Sequence, residues 1–237
     1  MNRMHYPACG GAGRANRQRH ALRGALAALA VLLGCIPVAR EAAALEVSGD
    51  FRSAQQQFEA ARAGSSAATE RARNMFSRLL SGDADNPLYL AYYGSVLCMQ
   101  GRDSSAPWTK LKLVREGVGV LDRALAALDQ RRARVDAAWE DLELQTRLVA
   151  IATFIALPEP LFHRTAAAKE QLRLALASPH YPQASNDLQG HLQYEGALIA
   201  RQEGDVAAER AALLRTLALA PPSVDLAEVR TRLAELH

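Results

Sequence analysis

Residue types that could do chemistry are sparse in this chain of 237 residues and do not form a reactive set. His163, His180 and His191 lack the spacing of metal ligands. The motifs H-E-x-x-H, G-x-S-x-G and C-x-x-C and the phosphate-binding P-loop are absent from the sequence. We therefore predict no catalytic residue, no metal and no cofactor.

Paired carboxylates are the remaining source of chemistry, because general acid and base catalysis uses them. Glu140, Asp141 and Glu143 lie close together, but their spacing is typical of the solvated face of a helix. An enzyme acting on the cell wall would need such carboxylates inside a polar cleft. A cell-wall enzyme is therefore the least favoured hypothesis for the function.

The cysteines predict no disulfide framework. Cys9 and Cys35 lie in the first 44 residues, and only Cys98 follows them. Cys98 falls inside the apolar stretch from Leu88 to Met99, which predicts a buried and unreactive thiol.

The first 44 residues have the layout of an export signal. Arginines at 14, 17, 19 and 23 precede an uncharged stretch from Gly24 to Ala39. This stretch is shorter than the roughly 20 residues that span a bilayer. The triplet Ala42-Ala43-Ala44 offers a cleavage site, so we predict a periplasmic protein that begins at Leu45.

Lipidation is the alternative reading of the same segment. Leu32-Leu33-Gly34-Cys35 resembles the lipobox of bacterial lipoproteins, in which the cysteine is acylated and becomes the N-terminus. Cys35 would then anchor an outer-membrane lipoprotein. Otherwise it is a small apolar residue of the signal core.

Charge argues against a nucleic-acid partner. The leader holds six of the 28 basic residues and one of the 25 acidic residues, so residues 45–237 carry 22 positive and 24 negative charges. The basic surplus belongs to the segment predicted to be removed. Apart from that segment or an acylated Cys35, we expect no contact with a membrane.

Composition predicts an all-α fold. Alanine and leucine carry the apolar share, whereas Val, Ile and Thr never form alternating runs. A stripe at helical spacing predicts a long core helix from 134 to 157 that ends before Pro158; it consists of Leu144, Leu148, Ile151 and Ile155.

Two segments have the form of helix, turn and helix. Gly204 ends one helix, the next buries Leu213 and Leu217, and Pro221 stops it. Earlier, one helix ends at Leu80 and another follows Asn86-Pro87. The second carries Leu90, Tyr93, Gly94 and Leu97, with Gly101 at the expected turn.

These segments resemble the tetratricopeptide repeat, a pair of antiparallel helices in about 34 residues. Leu90, Tyr93, Gly94 and Leu97 occupy the places of its W-x2-L-G-x2-Y signature. Its A-x3-F-x2-A column recurs four times: Ala72, Phe76, Leu79; Gly117, Leu121, Ala124; Ala168, Leu172, Ala175; Glu209, Leu213, Thr216. Leu90 replaces the signature tryptophan, and Gly117 and Glu209 depart from the column.

The resemblance implies a right-handed superhelix of about four degenerate repeats across residues 45–237. We expect helix pairs at 50–82, 87–130, 134–178 and 184–219, and a C-terminal capping helix that starts at Ser223. An insertion near 102–115 adds a turn, an aromatic residue and a basic helical start. It is either a contact site formed by Trp108, Lys110 and Lys112 or a solvated connector.

Tetratricopeptide proteins are binding scaffolds whose first helices line a concave groove. Carried onto this chain, the groove would be formed by Leu88, Ala91, Ser95 and Met99, and by His191, Tyr194, Leu198, Arg201 and Gln202. The resemblance therefore implies a non-catalytic scaffold or adaptor that binds a protein or peptide partner, in an envelope or transport assembly.

Overall fold

The prediction of an all-helical chain is confirmed for the residues that the structure describes. The structure is a computed structural model that describes residues 49–131 and 137–236, without the side chains of 131 and 137–141. Within these ranges there are ten α-helices and no β-strand. They are α1 (49–62), α2 (Ser66–Gly82), α3 (Pro87–Asp103), α4 (Pro107–Arg131), α5 (Ala137–Ala156), α6 (Glu159–Phe162), α7 (Thr165–Leu176), α8 (Asn186–Glu203), α9 (Val206–Leu219) and α10 (Leu226–Glu235).

The predicted leader, 1–44, lies outside the described residues, and Cys35 lies there with it. Among the described helices, none combines the length and the apolar character that crossing a bilayer requires.

Side-chain caps start several helices where the sequence changes from turn to helix. Ser65 accepts a hydrogen bond from Ala68 N, and Asn86 accepts from Leu88 N and Tyr89 N. The capping helix α10 begins at Leu226 and is capped by Asp225, whose carboxylate accepts from two backbone amides. The predicted start at Ser223 is wrong, because Asp225 caps this helix and Ser223 Oγ instead lies 3.2 Å from His191 Nδ1.

The predicted helix ends agree with the observed ones to within a few residues. Helix α5 ends at Ala156, before Pro158, and α8 ends at Glu203, followed by the C-cap Gly204, whose φ of 75° lies in the left-handed region. The 102–115 insertion is mostly helical. Its turn occupies only 104–106, so the added residues lengthen α4 to 25 residues.

Most of the helices that follow each other in the chain pack together, and α5 also packs on α3, α7 and α8. The four-fold column of the sequence faces this interior, since all twelve of its residues are buried or half-buried. Most residues of α3 are buried, and Tyr89, Tyr93 and Gln100 on one side of the helix are half-buried. A second, smaller core joins α8, α9 and α10 around Leu213 and Val229.

Two glycines bring α3 and α4 into close contact. A Cβ on Gly94 would lie 2.8 Å from Gly117 O, and a Cβ on Gly117 would lie 2.5 Å from Gly94 O. The absence of a Cβ at both positions therefore allows this close approach. Gly101 lies inside α3 rather than in the predicted turn, where a Cβ would meet Val114 of α4 at 2.6 Å.

Candidate functional site

A cleft of about 1900 Å³ opens among the helices of the described part of the chain. Its walls are α1, α3, α5 and α8, and the start of α4 and the short α6 form part of its rim. We call this feature the cleft throughout. It lies within the unit from Asp50 to His237.

The floor of the cleft is apolar. It includes Phe58 of α1, Met99 of α3, Leu148 and Val149 of α5, and Leu198 of α8. Leu148 belongs to the stripe predicted as core. Leu144 and Ile151 of that stripe are indeed buried, whereas Leu148 is only half-buried and faces the cleft. Part of the predicted core is therefore exposed to a ligand.

Basic side chains lie on the side formed by α1, α3 and α4. Arg62 Nε is 2.9 Å from Glu59 Oε2, and Arg102 donates from Nη2 to Ala61 O at 2.9 Å. Lys110 lines the same side and forms no ion pair with any described residue. This side can therefore offer an unpaired positively charged side chain to a bound ligand.

The α8 side of the cleft carries a cluster of polar side chains on one face of the helix. His191 lies between Ser223 and Glu195, with Nε2 3.4 Å from Glu195 Oε1. Ser223 N donates to Asp187 Oδ1 at 3.0 Å, which ties the chain after α9 to the start of α8. Burial raises the pKa of the Tyr194 hydroxyl, and the carboxylates of Glu228 and Glu195 raise it further.

Glu195 is the residue that sequence reasoning missed. Only 3% of it is exposed, and it lines the cleft. Its Oε2 is a buried oxygen with no hydrogen-bond partner in the described part of the chain. The sequence shows only a glutamate one residue after a predicted groove tyrosine, so nothing there signalled its burial.

The structure brings together most of the residues predicted to form the groove. The following predicted groove residues line the cleft: Ser95, Met99, His191, Tyr194, Leu198, Arg201 and Gln202. Lys110, predicted as part of the insertion's contact site, lines it as well. Leu88 and Ala91 do not, because α3 is covered on this part of its surface and both residues are buried in the main core. Their assignment to the groove is corrected.

Trp108 and Lys112 lie outside the cleft. Trp108 is 84% exposed, so it is not a structural core residue of the insertion, and Lys112 is exposed as well. The neighbouring residues Pro107, Lys110 and Leu111 do line the cleft. The start of α4 therefore contributes to the cleft through one helix face, and Trp108 projects from another.

Of the three carboxylates considered for catalysis, the structure describes the side chain of Glu143. Glu143 is buried, and its Oε1 accepts from Arg147 Nε at 3.1 Å while its Oε2 accepts from Ser178 at 2.9 Å. The predicted solvated face is thus wrong at Glu143, and the side chains of Glu140 and Asp141 lie outside the described residues. Within the described ranges, no group of three or more potential ligands could hold a metal ion.

Cys98 is buried, as predicted, and its side chain lines the wall of the cleft. It contacts Val114 O at 3.8 Å, and burial raises its pKa to about 12, against the opposing charge of Arg164. At pH 8 only about one such thiol in 10⁴ is ionised, and the thiolate is the reactive form.

We expect Cys98 to resist alkylation by iodoacetamide at pH 8 in the folded chain and to react readily in 8 M urea, on the order of 100-fold faster or more. Peptide mapping by mass spectrometry separates Cys98 from Cys9 and Cys35. Equal labelling of Cys98 before and after unfolding would contradict its burial.

No protein-family model, curated protein or solved structure matches this chain. The resemblance to tetratricopeptide repeats therefore rests on the residues quoted above.

Proposed function

We propose that this protein is a non-catalytic scaffold or adaptor that holds a segment of a partner protein in the cleft. The observation that carries the proposal is the size of the cleft together with its apolar floor. Small-molecule pockets measure roughly 300–1,000 Å³. A cleft of about 1900 Å³ is about twice as large as the largest of these, and it suits an extended or helical peptide.

The pairing of helices supports the finer proposal of a tetratricopeptide-like superhelix. In such a fold the first helix of each pair lines the concave side, and here α1, α3, α5 and α8 line the cleft. Each second helix packs on the first helix of the next pair, as α2 does on α3, α4 on α5 and α7 on α8. The cleft would then be the concave surface of about four degenerate repeats, closed by α10.

Crosslinking from inside the cleft tests this proposal. We would place the photo-crosslinking residue p-benzoylphenylalanine at Leu198, which is half-buried in the cleft, and irradiate intact cells. The expected result is a covalent adduct with one protein partner. Changing Tyr194 and Arg201 to alanine should lower the adduct yield several-fold, because both side chains line the same side.

Leu214 provides the matched control position. It is an exposed leucine on α9 that does not line the cleft, so crosslinker there should give no such adduct. Equal adduct yields at Leu198 and Leu214 would count against binding in the cleft. An adduct yield at Leu198 that the two alanine substitutions leave unchanged would count against it as well.

We further propose that the protein works in the periplasm after removal of residues 1–44. Mass spectrometry of the protein from the periplasmic fraction should find Leu45 as the first residue, and Cys35→Ala should leave that fraction unchanged. A first residue at Cys35 that carries acyl chains would instead indicate the outer-membrane lipoprotein.

A further inference from the structure

We infer that the α8 side of the cleft binds a lysine or arginine side chain of the partner segment, with Glu195 as its counter-ion. This inference rests on the proposed function, because it names the chemistry of the guest that the cleft would hold. It starts from one observation, the unsatisfied carboxylate oxygen of a buried residue that lines the cleft.

The burial of Glu195 is costly unless something compensates for it. A buried carboxylate oxygen without a donor loses its hydration and gains no hydrogen bond in return. The contact with His191 involves Oε1 at 3.4 Å and leaves Oε2 without a partner among the described residues. A cation arriving from the cleft would supply the missing donor and a charge of the opposite sign.

The other carboxylates of the cleft have donors already. Glu59 pairs with Arg62, and Asp187 accepts from Ser223 N. Among the carboxylates of this lining, only Glu195 has a buried oxygen that lacks a donor within the described residues. A cationic guest would be directed to this position rather than to the other two.

The surroundings suit a long basic side chain. Leu188 and Leu198 line the cleft from the same helix, one on either side of Glu195. They can therefore cover the aliphatic stem of a lysine or arginine while its charged end reaches Glu195. Arg201 lies six residues further along α8, about 9 Å along the helix axis. That distance is about one Debye length at moderate salt, which limits its repulsion of the guest cation.

The test is selection of peptides from a library of random 12-residue sequences displayed on phage, using the full chain as the target. We expect the selected peptides to share apolar residues and one aligned position that is lysine or arginine. Selection on Glu195→Gln should keep the apolar preference and lose the basic position. Glu59→Gln is the matched control, because it neutralises a carboxylate of the same cleft that has its own partner, and it should leave the basic position in place.

A synthetic pair of peptides then measures the effect directly. The pair differs only at the aligned position, which holds lysine in one and the uncharged norleucine in the other. Fluorescence anisotropy should show that the unmodified protein binds the lysine peptide at least tenfold more tightly, and that Glu195→Gln binds both about equally. If Glu195→Gln fails to fold, equal binding of the two peptides by the unmodified protein would still overturn the proposal.

The outcomes distinguish the two proposals. Selected peptides without a shared basic position, or a basic position that survives Glu195→Gln, would overturn the role of Glu195 and leave binding in the cleft intact. A library that yields no peptide above an uncoated surface would overturn both.

Discussion

Replacing Gly117 by alanine is expected to lower the free energy of unfolding by about 3 kcal/mol, because overpacking of a dense interior costs about 1–3 kcal/mol and this contact is severe. The new Cβ would lie 2.5 Å from Gly94 O and 2.7 Å from Cys98 Sγ, so α3 and α4 would have to move apart. Urea denaturation of the full chain, followed by circular dichroism at 222 nm, measures the loss.

Gly119 offers a control two residues away on the same helix. A Cβ there has no neighbour within 4 Å, so Gly119→Ala should stabilise the protein by about 0.5–1 kcal/mol through the lower entropy of its unfolded chain. The same substitution should therefore have opposite signs at the two positions. Equal effects would show that α3 and α4 are not in backbone contact.

The second large effect is expected at the buried ion pair of α5. Arg147 is 1% exposed and its guanidinium contacts Glu143 through Nε and Nη2, while Nη1 donates to Gln171 of α7. Arg147→Met would leave the Glu143 carboxylate buried without its cation, at a cost of about 3–5 kcal/mol. The same denaturation experiment measures this loss.

A double variant tests whether the cost comes from the stranded charge. Glu143→Leu combined with Arg147→Met removes both charges, so it should recover much of the stability that Arg147→Met loses. Arg173→Met on α7 is the control, because Arg173 pairs with Glu170 in an exposed position and its loss should leave the midpoint nearly unchanged. A double variant no more stable than Arg147→Met would refute the explanation.

Local signals made most of the helices predictable from the sequence. Asn86-Pro87 is a cap followed by a residue suited to the first turn, Gly204 can adopt positive φ, and Pro158 cannot continue a helix. Such effects act within a few residues, so they can be recognised without knowing the tertiary structure. The recurring A-x3-F-x2-A column predicted buried residues correctly for the same reason, because one face of each helix must be covered by its neighbours.

The errors arose where the tertiary environment decides. Leu88 and Ala91 lie on the predicted groove face of α3, but neighbouring helices cover that part of it and bury them. Glu143 and Glu195 are charged residues in helices and would ordinarily face solvent, yet both are buried. Glu143 has Arg147 and Ser178 as partners, and helical spacing identifies only the first of these.

Helix α8 takes part in both apolar cores, with Leu192 in the larger one and Ala197 in the smaller one. The smaller core of the described residues involves only the last three helices, so we expect α9 and α10 to detach first while α1 to α8 keep the larger core. Partial unfolding should thus begin at the carboxyl-terminal end of the chain. Because α8 carries Glu195 and Tyr194, a bound segment that stiffens α8 would also stabilise α9 and α10 against unfolding. The unfolding temperature of these two helices would therefore report whether the cleft is occupied.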